Sequence, residues 1–159
     1  SKIDELTRGT FEEVLDDPFV SDADAAAVRR VVLCSGKVAH EAMAERNKRG
    51  APVAIARIEQ LYPWPYDRLT EVTVRYPNAR QIVWLQEEPS NMGAWDHIDA
   101  RLAPRLPGSV QLVARSPSAS PAVGSTTRHK LEQEQLVREA LGEPVSRLAR
   151  VTARAAQEH

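Results

Sequence analysis

Residues 28–36, VRRVVLCSG, carry the reading that decides the fold. Val31-Val32-Leu33-Cys34 is an unbroken apolar run, the pattern of a strand covered on both faces. Ser35-Gly36 marks a turn, and beyond it Val38, Ala42 and Met43 recur at helical spacing. Gly50 and Pro52 stop that helix, which spans roughly Lys37 to Arg49. The same unit then repeats along the chain. A strand over 53–58 leads to a helix near 66–76, and a strand over 81–86 leads to a helix near 92–102. SVQLVAR supplies a fourth strand, followed by a Ser/Pro/Ala loop over 116–124 and a helix over 126–141. Four strand–helix repeats predict an α/β fold: a three-layer α/β/α sandwich with a mainly parallel sheet.

What lies outside the repeats is shorter. Residues 1–22 are expected to form an N-terminal arm or linker. Its TFEEVLDD segment reads as a short helical turn capped by Thr10, with Phe11, Val14 and Leu15 on one face and Asp17-Pro18 closing it. The α/β domain itself is expected over 23–142, and 143–159 form a tail, helical or disordered.

The bulk properties exclude several classes. A chain of 159 residues is about one domain long, and 42% hydrophobic with 27% charged residues is ordinary for a soluble globular protein. The formal net charge of −1 gives no pull toward nucleic acid or an anionic membrane. Cys34, the single cysteine, cannot close an internal disulfide and leaves a metal site short of thiolates. No apolar run approaches the ~20 residues of a membrane span, and no signal peptide opens the sequence, so the cytoplasm is the expected compartment.

Most candidate chemistry reads as ordinary structure. Ser35-Gly36-Lys37 resembles the end of a phosphate-binding loop, but the glycines such a loop needs upstream are absent. Arg29-Arg30 stand where a receiver domain would place an acidic pair. His40, His97, His129 and His159 show no metal-ligand spacing, and Ser118 and Ser120 lack a nucleophile elbow.

Two stretches are more specific, and both leave strands at the carboxyl edge of the sheet, where open α/β folds place their ligand crevices. In QLYPWPYDR, residues 60–68, Pro63 and Pro65 stiffen a segment along which Tyr62, Trp64 and Tyr66 alternate. That points to a subunit contact, with a rim for a planar ligand as the alternative. In WLQEEPSNMGAWDHI, residues 84–98, the adjacent Glu87 and Glu88 invite an acid/base reading. With no nucleophile, metal ligand or complementary acid close in sequence, the expectation is a structural seam between strand and helix. Gly93-Ala94 would allow close approach there, and Trp95 would point to the core or a partner. Residues 60–68 and 86–95 should be neighbours in space.

IARIEQLYPWP, WLQEEPSNMGAW and RSPSASPAVGS, in that order and spacing, resemble the C-terminal domain of the thiamine-diphosphate-dependent 2-oxoglutarate dehydrogenase component, and VVLCSGKVAHE fits the same pattern. The resemblance covers roughly residues 2–142. It implies the transketolase C-terminal domain fold and, for the whole protein, oxidative decarboxylation of 2-oxoglutarate on thiamine diphosphate and Mg²⁺. The succinyl group would pass to lipoyl groups of the dihydrolipoyl succinyltransferase component. The cofactor motif and substrate histidines of that family belong to preceding domains, so this segment is expected to carry no catalytic, cofactor-binding or metal-binding residue and to be inactive alone.

For the segment itself the resemblance implies packing in a homodimer, with Tyr62, Trp64, Glu87, Glu88 and Trp95 as interface or structural residues. It also implies an effector pocket for a nucleotide or a coenzyme A derivative, in which Gln60 and Arg68 match family positions. Acetyl-CoA-activated members add a second adjacent Arg and a Lys and Ser from the N-terminal turn. Asp67, Thr10 and Glu13 stand there instead, so tight acetyl-CoA binding is not expected. An unrelated reading, a stand-alone non-catalytic ligand-binding or dimerisation module of the same fold, fits the same elements.

Overall fold

The structure is a computed structural model that describes residues 10–102, 110–120 and 126–143. Among these residues five strands form one sheet: β1 (Val14–Leu15), β2 (Arg30–Cys34), β3 (Val53–Ile58), β4 (Gln81–Pro89) and β5 (Val110–Arg115), in the order β1-β3-β2-β4-β5. β2, β3, β4 and β5 run parallel, and only β1 pairs antiparallel, against β3. The connections are helical: α1 (Val38–Arg49), α2 (Tyr66–Val74), α3 (Trp95–Leu102) and α4 (Thr126–Ala140).

Strand alternation divides the core in two. Val31, Leu33, Ala54, Ile58, Ile82 and Trp84 face one side and pack with Leu69 and Val72 of α2 and Trp95, Ile98 and Leu102 of α3. Val32, Cys34, Val53, Ile55, Val83 and Leu85 face the other, under Val38, Ala42 and Met43 of α1 and Leu136, Val137 and Ala140 of α4. All six residues of β3 are buried, as expected where helices cover both faces. The three-layer sandwich read from the sequence is the observed architecture.

The helical turn expected in TFEEVLDD is not formed: Val14 and Leu15 are extended and pair with Ile58 and Arg57. One turn of helix costs more to nucleate than it returns. The same residues laid on β3 gain backbone bonds, and Glu13 O also accepts the N–H groups of Glu59 (2.9 Å) and Gln60 (3.2 Å). Residues 10–17 thus contribute the edge strand of the sheet and not a helical turn. Element ends also differ from expectation: β4 continues through Pro89, α2 ends at Val74 and α3 begins at Trp95. The expected tail from residue 144 onward lies outside the described residues.

Asp17 fastens the arm. Its side chain is buried, with Oδ1 accepting from Arg46 Nη2 at 2.9 Å and from Phe19 N at 3.0 Å, and Oδ2 accepting from Ile55 N at 2.8 Å. Arg46 in turn donates to Val53 O at 2.9 Å, so one buried ion pair joins the arm, α1 and β3. Nearby, Tyr76 Oη donates to Asp16 Oδ1 at 2.5 Å. On β2, in register with Val53, Arg30 Nη1 donates to Glu139 O and Ala140 O, both at 3.0 Å, closing the carboxyl terminus of α4.

Candidate functional site

At the carboxyl edge, β3 runs into the segment 60–68. Gln60 Nε2 donates to Pro63 O at 2.8 Å and to Glu13 Oε1 at 3.3 Å, which draws the segment into a tight loop containing a cis Tyr62-Pro63 peptide. Trp64 folds inward to 8% exposure, set edge-on to Tyr66 (6.4 Å between centroids) and to His97 of α3 (6.1 Å). Among the described residues its indole N–H finds no acceptor. His97 Nε2 lies 2.9 Å from Leu61 O, an acceptor only, so that nitrogen carries the proton. His97, two residues beyond the 86–95 stretch, thus joins the 60–68 loop to α3.

Arg68, in the first turn of α2, is half-exposed and held by carboxylates on both sides. Nη2 donates to Glu12 Oε2 at 3.1 Å, and Nη1 pairs with Glu71. Glu71 first, and then Glu12, raise its pKa above the ordinary guanidinium value. Asp67, beside it, is exposed.

The second stretch is organised by a residue that sequence reasoning passed over, Gln86. Its Oε1 accepts from Trp84 Nε1 at 2.9 Å, while Nε2 donates to Pro89 O (3.1 Å) and Met92 O (2.7 Å). Gly93 has φ +75°, and a Cβ there would sit 2.9 Å from Gln86 Nε2, so the glycine admits a side chain rather than a backbone. Trp95 opens α3 and is buried. Asn91 and Ser118 exchange two bonds of 3.0 Å, tying this seam to the start of the Ser/Pro loop.

Glu87 and Glu88 do not act together. They lie where the pairing of β4 with β5 shifts register, and their surroundings differ. Glu87 is partly buried, with Oε1 3.5 Å from Lys37 Nζ and 2.9 Å from Gln133 Nε2, and Gln133 also donates to Glu41 at 2.9 Å. Glu88 is exposed. A general acid/base pair needs both carboxyl groups on one substrate, and this arrangement separates them. On the Glu87 side, buried Arg57 donates to His40 Nε2 at 3.0 Å and pairs with Glu59. A lone Arg inside the apolar run VAIARI was the available sign of this cluster. Cys34 beneath it is fully buried, and burial pushes its thiol up to about 12, which keeps it protonated and unreactive at neutral pH.

The residues named from sequence are thus placed as follows. Gln60 and Arg68 share the arm-facing side of the 60–68 loop, Glu87 sits on the α1/α4 face, and Trp64 and Trp95 are in the core with α2 and α3. Of the readings left open for them, Trp95 takes the core and Trp64 is likewise covered within the chain. Tyr62 alone of that aromatic set stands in solvent, 82% exposed. Ser35-Gly36-Lys37 is a plain turn, with Gly36 at φ +76° and no side-chain cap on α1. Among the described residues, no group of three or more His, Cys, Asp or Glu side chains is placed to hold a metal ion, and no helix is long and apolar enough to cross a membrane.

Comparison with known proteins adds a family to this geometry. The family described as "2-oxoglutarate dehydrogenase C-terminal" matches residues 1–141. The chain is 39% identical over 152 residues to the 2-oxoglutarate dehydrogenase E1 component of Exiguobacterium sp., covering 91% of this chain and 16% of that protein. It is 42% identical over 144 residues to the Haemophilus influenzae E1 component, covering 89% and 15%. A Dictyostelium discoideum protein described as a probable 2-oxoadipate dehydrogenase complex component E1 homolog is 40% identical over 144 residues, covering 88% and 16%. The chain therefore spans only 15–16% of the length of these relatives. Among solved structures, a split-gene transketolase described as an inactive β4 tetramer superposes with a TM-score of 0.50 at 18% identity, over 71% of this chain and 39% of that one, a likeness of fold.

Proposed function

The chain belongs to the 2-oxoglutarate dehydrogenase C-terminal family, and from that membership we propose that it is the C-terminal domain of a thiamine-diphosphate-dependent E1 component. The protein carrying it decarboxylates 2-oxoglutarate and passes the succinyl group to the lipoyl arms of a dihydrolipoyl succinyltransferase, in the cytoplasm. The observation that carries this reading is the match along residues 1–141 together with about 40% identity to curated E1 components.

Within that protein the segment serves assembly and regulation. Thiamine diphosphate with Mg²⁺ requires a cation held by several oxygen ligands against a diphosphate, and among the described residues the buried carboxylates do not offer that set. The buried carboxylate of Asp17 is committed to Arg46 and the Ile55 N–H, and Glu87 to Lys37 and Gln133. No step of the decarboxylation is assigned to these residues. Their work is positional: Gln86 and Gly93 fix the turn from β4 into α3, and Gln60 fixes the loop that presents Tyr62. We take Tyr62 as a contact to the partner subunit of a homodimer, and Gln60 with Arg68 as donors to a phosphorylated effector of the nucleotide or coenzyme A type.

The full-length protein supplies the test. Turnover of 2-oxoglutarate that requires thiamine diphosphate and Mg²⁺, with Tyr62→Ala weakening the dimer in sedimentation, is the expected result. Absence of 2-oxo-acid turnover would overturn the activity, and an unchanged dimer constant would overturn the interface.

A further inference from the structure

The donors proposed to receive an effector already hold carboxylates of the arm. Gln60 Nε2 meets Glu13 Oε1 at 3.3 Å and Arg68 Nη2 meets Glu12 Oε2 at 3.1 Å. These are consecutive residues at the start of the described chain, and they reach the two donors in parallel. Resting on the reading of Gln60 and Arg68 as effector-binding residues, we propose that Glu12 and Glu13 are a built-in competitor: an anionic ligand binds there only by displacing them.

The strength of the contacts suits competition and not blockade. Both side chains of the Glu12–Arg68 pair are nearly half-exposed, at 47% and 44%. Exposed pairs of this kind are weak and exchange readily. The backbone behind them is firmly held, by Glu13 O on the N–H groups of Glu59 and Gln60, by the β1–β3 pairing, and by buried Asp17. The two carboxylates are therefore kept at high local concentration over the donors although each bond is soft. A phosphate, with more charge and more acceptor oxygens, makes the stronger charge-assisted bonds to a guanidinium and can win. Glu71, on α2 itself, remains on the other side of Arg68 in either state.

The test uses the full-length protein and ADP as the probe, by titration calorimetry, with Glu12→Gln/Glu13→Gln. These replacements are isosteric and leave the β1 backbone pairing in place. Removing the charge behind one exposed and one part-buried contact should tighten ADP binding about fivefold, and adding Arg68→Ala should remove the gain. Equal affinity in the parent and the double variant, with binding abolished by Arg68→Ala, would overturn the competitor and leave the site standing. Tightening that persists after Arg68→Ala would be a general charge effect and would also overturn it. No ADP binding in any variant, or binding indifferent to Arg68, would instead overturn the effector site itself.

Discussion

Replacing Asp17 by Ala should cost more stability than any surface change in the chain. The carboxylate is 2% exposed and accepts three bonds, from Arg46, Ile55 N and Phe19 N. Its removal leaves the Arg46 guanidinium, itself 6% exposed, as a buried charge with its Nε already lacking an acceptor. Breaking a buried pair from one side costs about 3–5 kcal/mol. With a urea dependence of about 2 kcal/mol per molar, the unfolding midpoint of the full 159-residue chain should fall by roughly 1.5–2.5 M. Adding Arg46→Met removes the stranded charge, so the double variant should lose no more than Asp17→Ala alone, a coupling of about 2 kcal/mol. A loss below about 1 kcal/mol for Asp17→Ala, or simple addition of the two single losses, would refute the claim that this pair holds the arm to β3.

Three further outcomes are expected. Gly93→Ala should destabilise by roughly 1–3 kcal/mol, since the residue sits at φ +75° and its methyl would meet Gln86 Nε2 at 2.9 Å; chemical denaturation reads it, and a neutral result would mean the seam is looser than described. Cys34 should resist alkylation at pH 8 until the chain unfolds. Its thiol moves from an ordinary 9.0 to about 12, so its contribution to stability is complete below pH 9 and is lost as pH rises from there to about 12, which Cys34→Ala should flatten in a stability–pH curve. In the full-length protein, Glu87→Gln should lower stability by about 1 kcal/mol with turnover unchanged, because its bonds run to Lys37 and Gln133. Glu88→Gln should be neutral, and a turnover drop of ~10²-fold or more in either would restore the acid/base reading.

The α/β architecture was legible because strands covered on both faces show as unbroken apolar runs, and because Gly50 and the Ser35-Gly36 turn punctuate them. β1 was not, because two residues are too few to show a period: TFEEVLDD fits one turn of helix as well as a strand end, and only the free edge of β3 decides. Tyr62, Trp64 and Tyr66 alternate identically in sequence, yet one is in solvent and another in the core, since the turn closed by Gln60 rotates them apart. Gln86 and the Arg57–His40 contact had no local signal beyond a polar residue in an apolar run; their partners lie up to 17 positions away. Glu87 and Glu88 looked like a pair because they are adjacent, yet Glu87 is taken up by Lys37 and Gln133 while Glu88 stands in solvent.

The two-residue length of β1 has a consequence for solubility. β3 is buried along its whole length and apolar but for Arg57, and β1 pairs with only Arg57 and Ile58 of it. Further back along that edge, the Ile55 N–H is taken by a carboxylate, Asp17, in place of another strand. A side chain that satisfies an edge amide cannot be extended by a further strand, so it ends the sheet chemically as well as sterically. A truncation at the domain boundary first drawn from sequence, residue 23, would strip this stop. It would leave Val53–Ile58 as an open template for sheet growth between molecules, so preparations of the shortened domain should precipitate where the longer chain stays clear.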